Sequence, residues 1–462
     1  MIERREIELP DFGAPEQMPT LPAAEYEGRL AAAVERMAEA GLDVLAVYGD
    51  REHAANLAFL TGFDPRFEEA LLLLDRRGNR LLLVGNECRG YVGEDGPELS
   101  VELFQEFSLM GQPRGDSRPL RTIFTDFGIT AGAKVGTAGW KYYGEGLIEG
   151  GPAAIEIPCY VVDLLRDMTG GQGRVRNAGE IFMHPGRGLR IVNSAAQIAR
   201  FEFAAVTVSQ GVRAAIEHLT EGISERELAR HLYDAGLPHS CHAMVSVGEK
   251  VRRGLSSASD RLAYLGDPFT VAFGLWGALT CRAGAVAAGP EDLPEESAGF
   301  FEELCANYFQ VVARWYETVR VAATGGQVFD AVNAARDRAL FDFAVNPGHC
   351  IHLDEWVHSP FFAGSGIPLA SGMALQMDII PVSKGPFWYV NAEDGIALAD
   401  GNLRGEIARD YPDCWGRIAA RQAFMREVLG IGIDDSVLPL SNAPAVLSPY
   451  ALRPEQVLVQ AR

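Results

Sequence analysis

The sequence predicts an α+β protein of two domains, and three observations carry that reading. The first part of the chain alternates helix and strand signals, as an α/β layer does. From Arg190 onward long helices are followed by strands, the pattern of helices covering a curved antiparallel sheet. With 462 residues, 48% of them hydrophobic, the chain is long enough for more than one core. The domains are expected at residues 1–185 and 186–462, divided where Gly179 to Leu189 interrupts the pattern with glycine and proline.

Leu30, Val34 and Met37 share one helical face that stops at Gly41, and Val44 to Tyr48 reads as a buried strand. Ala70 to Leu74 and Leu81 to Val84 flank Arg76-Arg77-Gly78-Asn79, a hairpin turn whose residues tolerate positive φ. Arg190 to Leu219 reads as one long helix, and Ser224 with Glu227 makes a capping box for the next. Further helices are expected near Glu295 to Val319 and Val328 to Leu340. The tail from Asp435, rich in Leu, Pro and Ser, is expected to be irregular and to pack on the surface.

The balance of 41 basic against 62 acidic residues, a formal charge of −21, disfavours contact with a phosphate backbone, so nucleic acid is not an expected partner. The start, MIERREIELPDFG, lacks the apolar core of a signal peptide, and no run of eighteen apolar residues occurs. A soluble, cytoplasmic protein without a membrane partner is the expectation. Seven cysteines without CxxC spacing read as reduced thiols.

Chemistry concentrates in three segments: GHCIHLDEWVHSP (Gly348 to Pro360), SGMALQMDIIP (Ser371 to Pro381) and YVNAEDGIAL (Tyr389 to Leu398). They supply imidazoles and then Asp378 and Glu393. An acid flanked by Met377 and Ile379-Ile380 is costly to ionise unless it is paired, although Gln376 and Asp378 on an alternating strand could both face solvent. Glu393-Asp394-Gly395 could equally be a turn. This order of segments resembles the pita-bread metallopeptidases: methionine aminopeptidase, prolidase, aminopeptidase P and creatinase. The resemblance implies that His349, Asp378 and Glu393 stand at three metal-ligand positions. GLDVLAVYGDREHAANLAFLTGF (Gly41 to Phe63) likewise resembles the N-terminal domain of creatinase and aminopeptidase P.

In GDPFTVAFGLWGALTCRAG (Gly266 to Gly284) the same alignment puts Ala272 at one metal-binding aspartate, and Cys281 or Ala283 at the other. A dinuclear site needs bridging carboxylates to balance two divalent ions, so the expected ligand positions are vestigial and no cofactor is expected. The family's catalytic His falls near Arg253-Gly254-Leu255; His239 and His242 lie too far upstream.

His352 replaces a glycine of the family pattern, and either fills the metal's space or points to the opposite face. His358 matches the family's second His if two residues are inserted before it; otherwise Trp356 takes that place. Arg282 is expected to pair with Asp378 or Glu393 where a cation used to be, and Cys281 and Cys350 could both approach the cavity. The first functional expectation is metal-independent acid–base chemistry, C–N hydrolysis or a related reaction, by Asp378, Glu393 and His349 or His358 on a small polar or amino-acid-derived substrate. A ligand-binding pseudopeptidase and a mononuclear Xaa-Pro peptidase are the alternatives. The resemblance also implies a homodimer, with Arg66 in FLTGFDPRFEE (Phe59 to Glu69) reaching a substrate carboxylate in the partner's site.

Overall fold

A computed structural model describes residues 1–93, 96–386 and 389–461. The chain forms two compact units, Leu21–Ile191 and Met1–Thr20 with Val192–Arg462. The first twenty residues, expected with the N-terminal domain, therefore join the later unit, and the division falls at 191/192 rather than 185/186.

In the Leu21–Ile191 unit, the helix Ala23–Glu39 buries Tyr26, Leu30, Ala33 and Met37 on one stripe. The chain turns at Gly41 with φ +67°. After β1 (Ile2–Glu6), the strands here are β2 (Val44–Gly49), β3 (Ala70–Asp75), β4 (Arg80–Val84), β5 (Ser100–Leu103), β6 (Val135–Ala138) and β7 (Val175–Asn177). Their order is β5-β4-β3-β2-β6-β7. The β3–β4 hairpin turns where expected: Asp75 accepts from the backbone N–H of Arg77 and Asn79, and Gly78 takes φ +83°. Leu71, Leu73 and Leu83 pack against Ile123, Phe124 and Leu165 of two covering helices.

The later unit opens with the helix Ala195–Glu217, which starts later than expected because Ser194 accepts a hydrogen bond from the Gln197 N–H and caps it. Ser224 and Glu227 form the expected capping box. The helix expected from Glu295 is broken into a turn at Glu295–Ser297, a wide turn at Phe301–Cys305 and the helix Ala306–Thr318. The one expected at 328–340 spans Gly325–Ala335, started by a Thr324–Gln327 capping box.

An antiparallel sheet of β8 (His239–Val247), β9 (Pro268–Leu275), β10 (Ala278–Ala285), β12 (His349–Cys350), β13 (Ala374–Met377) and β15 (Asn391–Leu398) runs in the order β12-β13-β15-β10-β9-β8. Between them, β11 (Phe341–Phe343) and β14 (Pro381–Ser383) form a separate ribbon. This is the curled antiparallel sheet of a two-domain α+β protein. One face packs Phe269, Val271 and Phe273 against Phe201, Val208 and Val212 of the long helix.

The tail is not irregular. It adds β16 (Val437–Pro439) to β15, and β17 (Gln456–Gln460) pairs antiparallel with β1. Val457, Leu458 and Val459 are completely buried, because strand pairing satisfies the backbone that a surface tail would leave to water. All seven cysteines are free. Among the described residues no helix is long and apolar enough to cross a membrane.

Candidate active site

Strand register assembles the site. Residues opposed across an antiparallel ladder share a face. Met244 opposes Ala272, Ala272 opposes Cys281, and Cys281 opposes Glu393. On the next ladder Met377 opposes Asp394, which brings Asp378 alongside Glu393, and His349 opposes Gln376. A single row thus crosses the sheet from apolar residues to acids.

The acidic half is buried. His349 Nε2 lies 3.1 Å from Glu355 Oε1 and 3.6 Å from Asp378 Oδ2. The approach is close but not aligned: His349 Nε2 and Asp378 Oδ1 are both buried without a hydrogen-bond partner. Burial, then the charges of Glu393 and Glu355, push the Asp378 carboxyl well above the usual range. Burial, then Glu355, pushes Glu393 up to about 7, against the Asn391 hydrogen bond and the His349 and Arg282 charges. Two acids so placed hold a proton between them more readily than both ionise.

One helix positions this arrangement from two points. In Ala306–Thr318, Tyr308 and Trp315 are two turns apart and so lie on one face. The Tyr308 hydroxyl donates to Asn391 Oδ1 at 3.0 Å, and Asn391 Nδ2 donates to Glu393 Oε1 at 2.7 Å. Trp315 Nε1 donates to the Pro347 carbonyl at 2.8 Å, immediately before Gly348 and His349. Gly348 takes φ +110°, and a Cβ there would stand 2.8 Å from the Gln376 carbonyl oxygen, so glycine is needed to present His349.

Several expectations change. Arg282 does not pair with Asp378 or Glu393: its guanidinium donates to Asp394 at 2.8 and 3.0 Å and to backbone carbonyls including Val446. Side chains alternate along a strand, so Asp394 and Arg282 occupy the face opposite Glu393 and Cys281. Of Cys281 and Ala283, the register selects Cys281 as the residue between Ala272 and Glu393; Ala283 opposes Asn391. Cys350, next to His349 on a strand, is buried with its thiol pushed up to about 12 by burial alone.

His352 is buried edge-on against Phe201, 5.2 Å between ring centroids. Of the two candidates for the second His position, Trp356 is the one that stacks on His349, at 4.1 Å and 19°. His358 is half-buried, with Nδ1 3.1 Å from the Ser359 carbonyl. Arg66 lies in the Leu21–Ile191 unit, where its guanidinium donates to the Tyr91 hydroxyl at 2.6 Å. Glu355 was not among the expected site residues. Its only sequence signal was its place in the histidine-rich segment, because its direction depends on the chain doubling back so that Cys350 bridges to His358.

The donor set does not fit the dinuclear metal centre that the resemblance implies. Ala272 offers a methyl group, and Cys281 offers a thiol that burial and then Glu393 push well above its usual pKa. With Leu279 they form an apolar cluster against which Cys241 and Met244 pack. Both bridging carboxylates are missing from this half. Among the described residues no group of three or more His, Cys, Asp or Glu is placed to hold a metal ion.

No protein-family model matches the sequence, and no curated protein is similar to it at the sequence level. Solved structures do share the fold. The prolidase from Pyrococcus horikoshii OT3 superposes with a TM-score of 0.60 at 17% identity, over 80% of this chain and 95% of that one. The recombinant prolidase from Thermococcus sibiricus gives 0.61 at 19% identity, over 81% and 95%. The Xaa-Pro dipeptidase from Bacillus anthracis gives 0.58 at 14%, over 82% and 96%.

Proposed function

We propose that this chain, which has the pita-bread fold of the prolidases and Xaa-Pro dipeptidases, is an enzyme of metal-independent acid–base chemistry. The reaction is C–N hydrolysis or a related cleavage on a small polar or amino-acid-derived substrate. The observation that carries the reading is the buried cluster of His349, Glu355, Asp378 and Glu393, in which burial raises Asp378 and brings Glu393 to about 7. A carboxyl at about 7, as for Glu393, suits proton transfer near neutrality.

In this scheme the protonated Asp378 gives its proton to the leaving nitrogen as the C–N bond breaks. Glu393, held by Asn391, or His349, whose Nε2 lies near Glu355 and Asp378, takes a proton from the water whose oxygen forms the new C–O bond. Fold likeness does not by itself specify a reaction.

A second reading, a binding protein with peptidase ancestry, is favoured by one feature: Trp356 lies flat on His349 and covers the imidazole. The experiment is elemental analysis of the purified protein, with assay of a proline dipeptide in added manganese, cobalt or zinc. Less than one bound equivalent and no dipeptide hydrolysis are expected. Two bound equivalents with turnover would overturn the proposal. Retained turnover of any C–N substrate in chelator, lost in Glu393→Gln, would decide against the binding-protein reading.

A further inference from the structure

The Leu21–Ile191 unit carries a cavity of its own, of about 380 Å³, bordered by Arg36, Arg176 and Arg187 with Glu39 and Glu180. Small-molecule sites begin at about 300 Å³. In a chain of 41 basic and 62 acidic residues, this is a place where cations outnumber anions. Charges farther than about 8 Å are screened at physiological salt, so the local set governs what enters.

Three separate elements bring the guanidinium groups together. Arg36 stands in the last turn of the helix Ala23–Glu39. Arg176 is the exposed residue of β7, pointing away from buried Val175 and Asn177. Arg187 sits in the tight turn after Glu180–Met183, where a Cβ on Gly188 would collide with the Phe182 carbonyl oxygen.

Part of this has an ordinary structural reason. Cations suit the C-terminal end of a helix, and Arg176 Nη2 donates to the Ala40 carbonyl there. That reason does not reach Arg187, nor the open space that all three border. Arg36 meets Glu39 at 2.9 Å and Arg187 meets Glu180 at 2.6 Å, each through one nitrogen in an exposed pair, and such pairs are weak. Among the described residues Arg176 meets no carboxylate. A guanidinium has five N–H groups, so all three keep donors for a further acceptor.

Three guanidinium groups converging from three elements match an anion with three outward oxygens on one centre. A phosphoryl group has them, and a carboxylate has two. We propose that this cavity binds the phosphoryl group of a small phosphate monoester. Its charge of about −1.5 to −2 exceeds that of either glutamate, so it displaces Glu39 and Glu180 from their arginines. The cavity is larger than the ion alone, and Ala40 and the buried Ile181 receive the ester's carbon body. The proposal does not depend on the acid–base reading.

The test is calorimetry on the intact protein in ~0.15 M salt, with ribose 5-phosphate, inorganic phosphate, ribose and acetate. Ribose 5-phosphate is expected to bind at least about tenfold more tightly than ribose or acetate, and more tightly than inorganic phosphate. Arg176→Gln and Arg187→Gln should each weaken it by about tenfold. If Arg176→Gln fails to fold, Arg187→Gln, in the exposed turn, decides. Thermal unfolding of the same variants separates binding from helix capping: lowered unfolding temperatures with unchanged affinity would assign the arginines to the fold alone and overturn the proposal. No saturable binding of the ester up to ~10 mM, or acetate or ribose bound as tightly as the ester, would also overturn it. Inorganic phosphate bound more tightly than the ester would overturn the monoester and make the free ion the ligand.

Discussion

Burial lets Asp378 and Glu393 hold protons to higher pH than they do in the unfolded chain. An acid whose folded pKa exceeds its unfolded one stabilises fully below the unfolded value, and that contribution fades as pH rises through the folded value. For Glu393 the window runs from the ordinary 4.5 to about 7. The wild-type unfolding temperature should therefore fall across that window relative to Glu393→Gln, whose amide cannot ionise. Parallel curves for the two proteins would show that the carboxyl is not raised. Arg282 makes a different prediction. Arg282→Met leaves Asp394 buried without the guanidinium Nη2 that both its oxygens meet, and should cost about 3–5 kcal/mol in denaturant unfolding. A loss under ~1 kcal/mol would mean that solvent or another group replaces the guanidinium.

At the scale of elements, the helix Ala306–Thr318 and the Gly348 turn present the acids and the imidazole from separate segments. Gly348→Ala forces an L side chain into φ +110° and against the Gln376 carbonyl, and should cost about 1–3 kcal/mol. Its purified form should also lose the His349–Trp356 stack, which tryptophan fluorescence or a crystal structure would report; an unchanged stack would count against the turn's role. His349, Asp378 and Glu393 were legible in the sequence because each stands in a motif of recognisable order. Arg282 was misplaced because a one-residue step along a strand reverses the face, and its guanidinium belongs with Asp394, one residue beyond Glu393. Glu355 was hidden because a loop residue carries no periodicity from which its direction could be read. The helix after Arg190 was visible as a helix, but its start depended on the Ser194 cap.

For the whole molecule, the homodimer implied by the pita-bread resemblance is proposed, with Arg66 contributing to the partner's site. Light scattering at micromolar concentration should give a dimer mass, and Arg66→Ala should weaken ligand binding without changing that mass. A monomer, or a variant with unaltered binding, would remove this proposal. The division into domains was only partly legible: glycines and prolines near residue 185 signalled a boundary, but nothing local revealed that residues 1–20 return to the later unit, because that depends on a partner more than 400 positions away.

That return has a kinetic consequence. β1 precedes the Leu21–Ile191 unit and β17 follows it, so that unit is, in chain order, an insertion into the other. During synthesis the Leu21–Ile191 unit can fold while β1 waits, for about 20 to 90 s at about 5–20 residues per second, for the strand that closes its ladder. An unpaired strand in a nascent chain is a template for the wrong neighbour. The charges of β1, Glu3, Arg4, Arg5 and Glu6, disfavour such pairing; in the folded protein Arg4 lies over Phe301 and Tyr450 and Glu6 pairs with Arg453, whereas Glu3 and Arg5 pair with each other. Replacing Glu3 and Arg5 by valine should then lower the yield of refolding while leaving the unfolding temperature of the folded protein nearly unchanged.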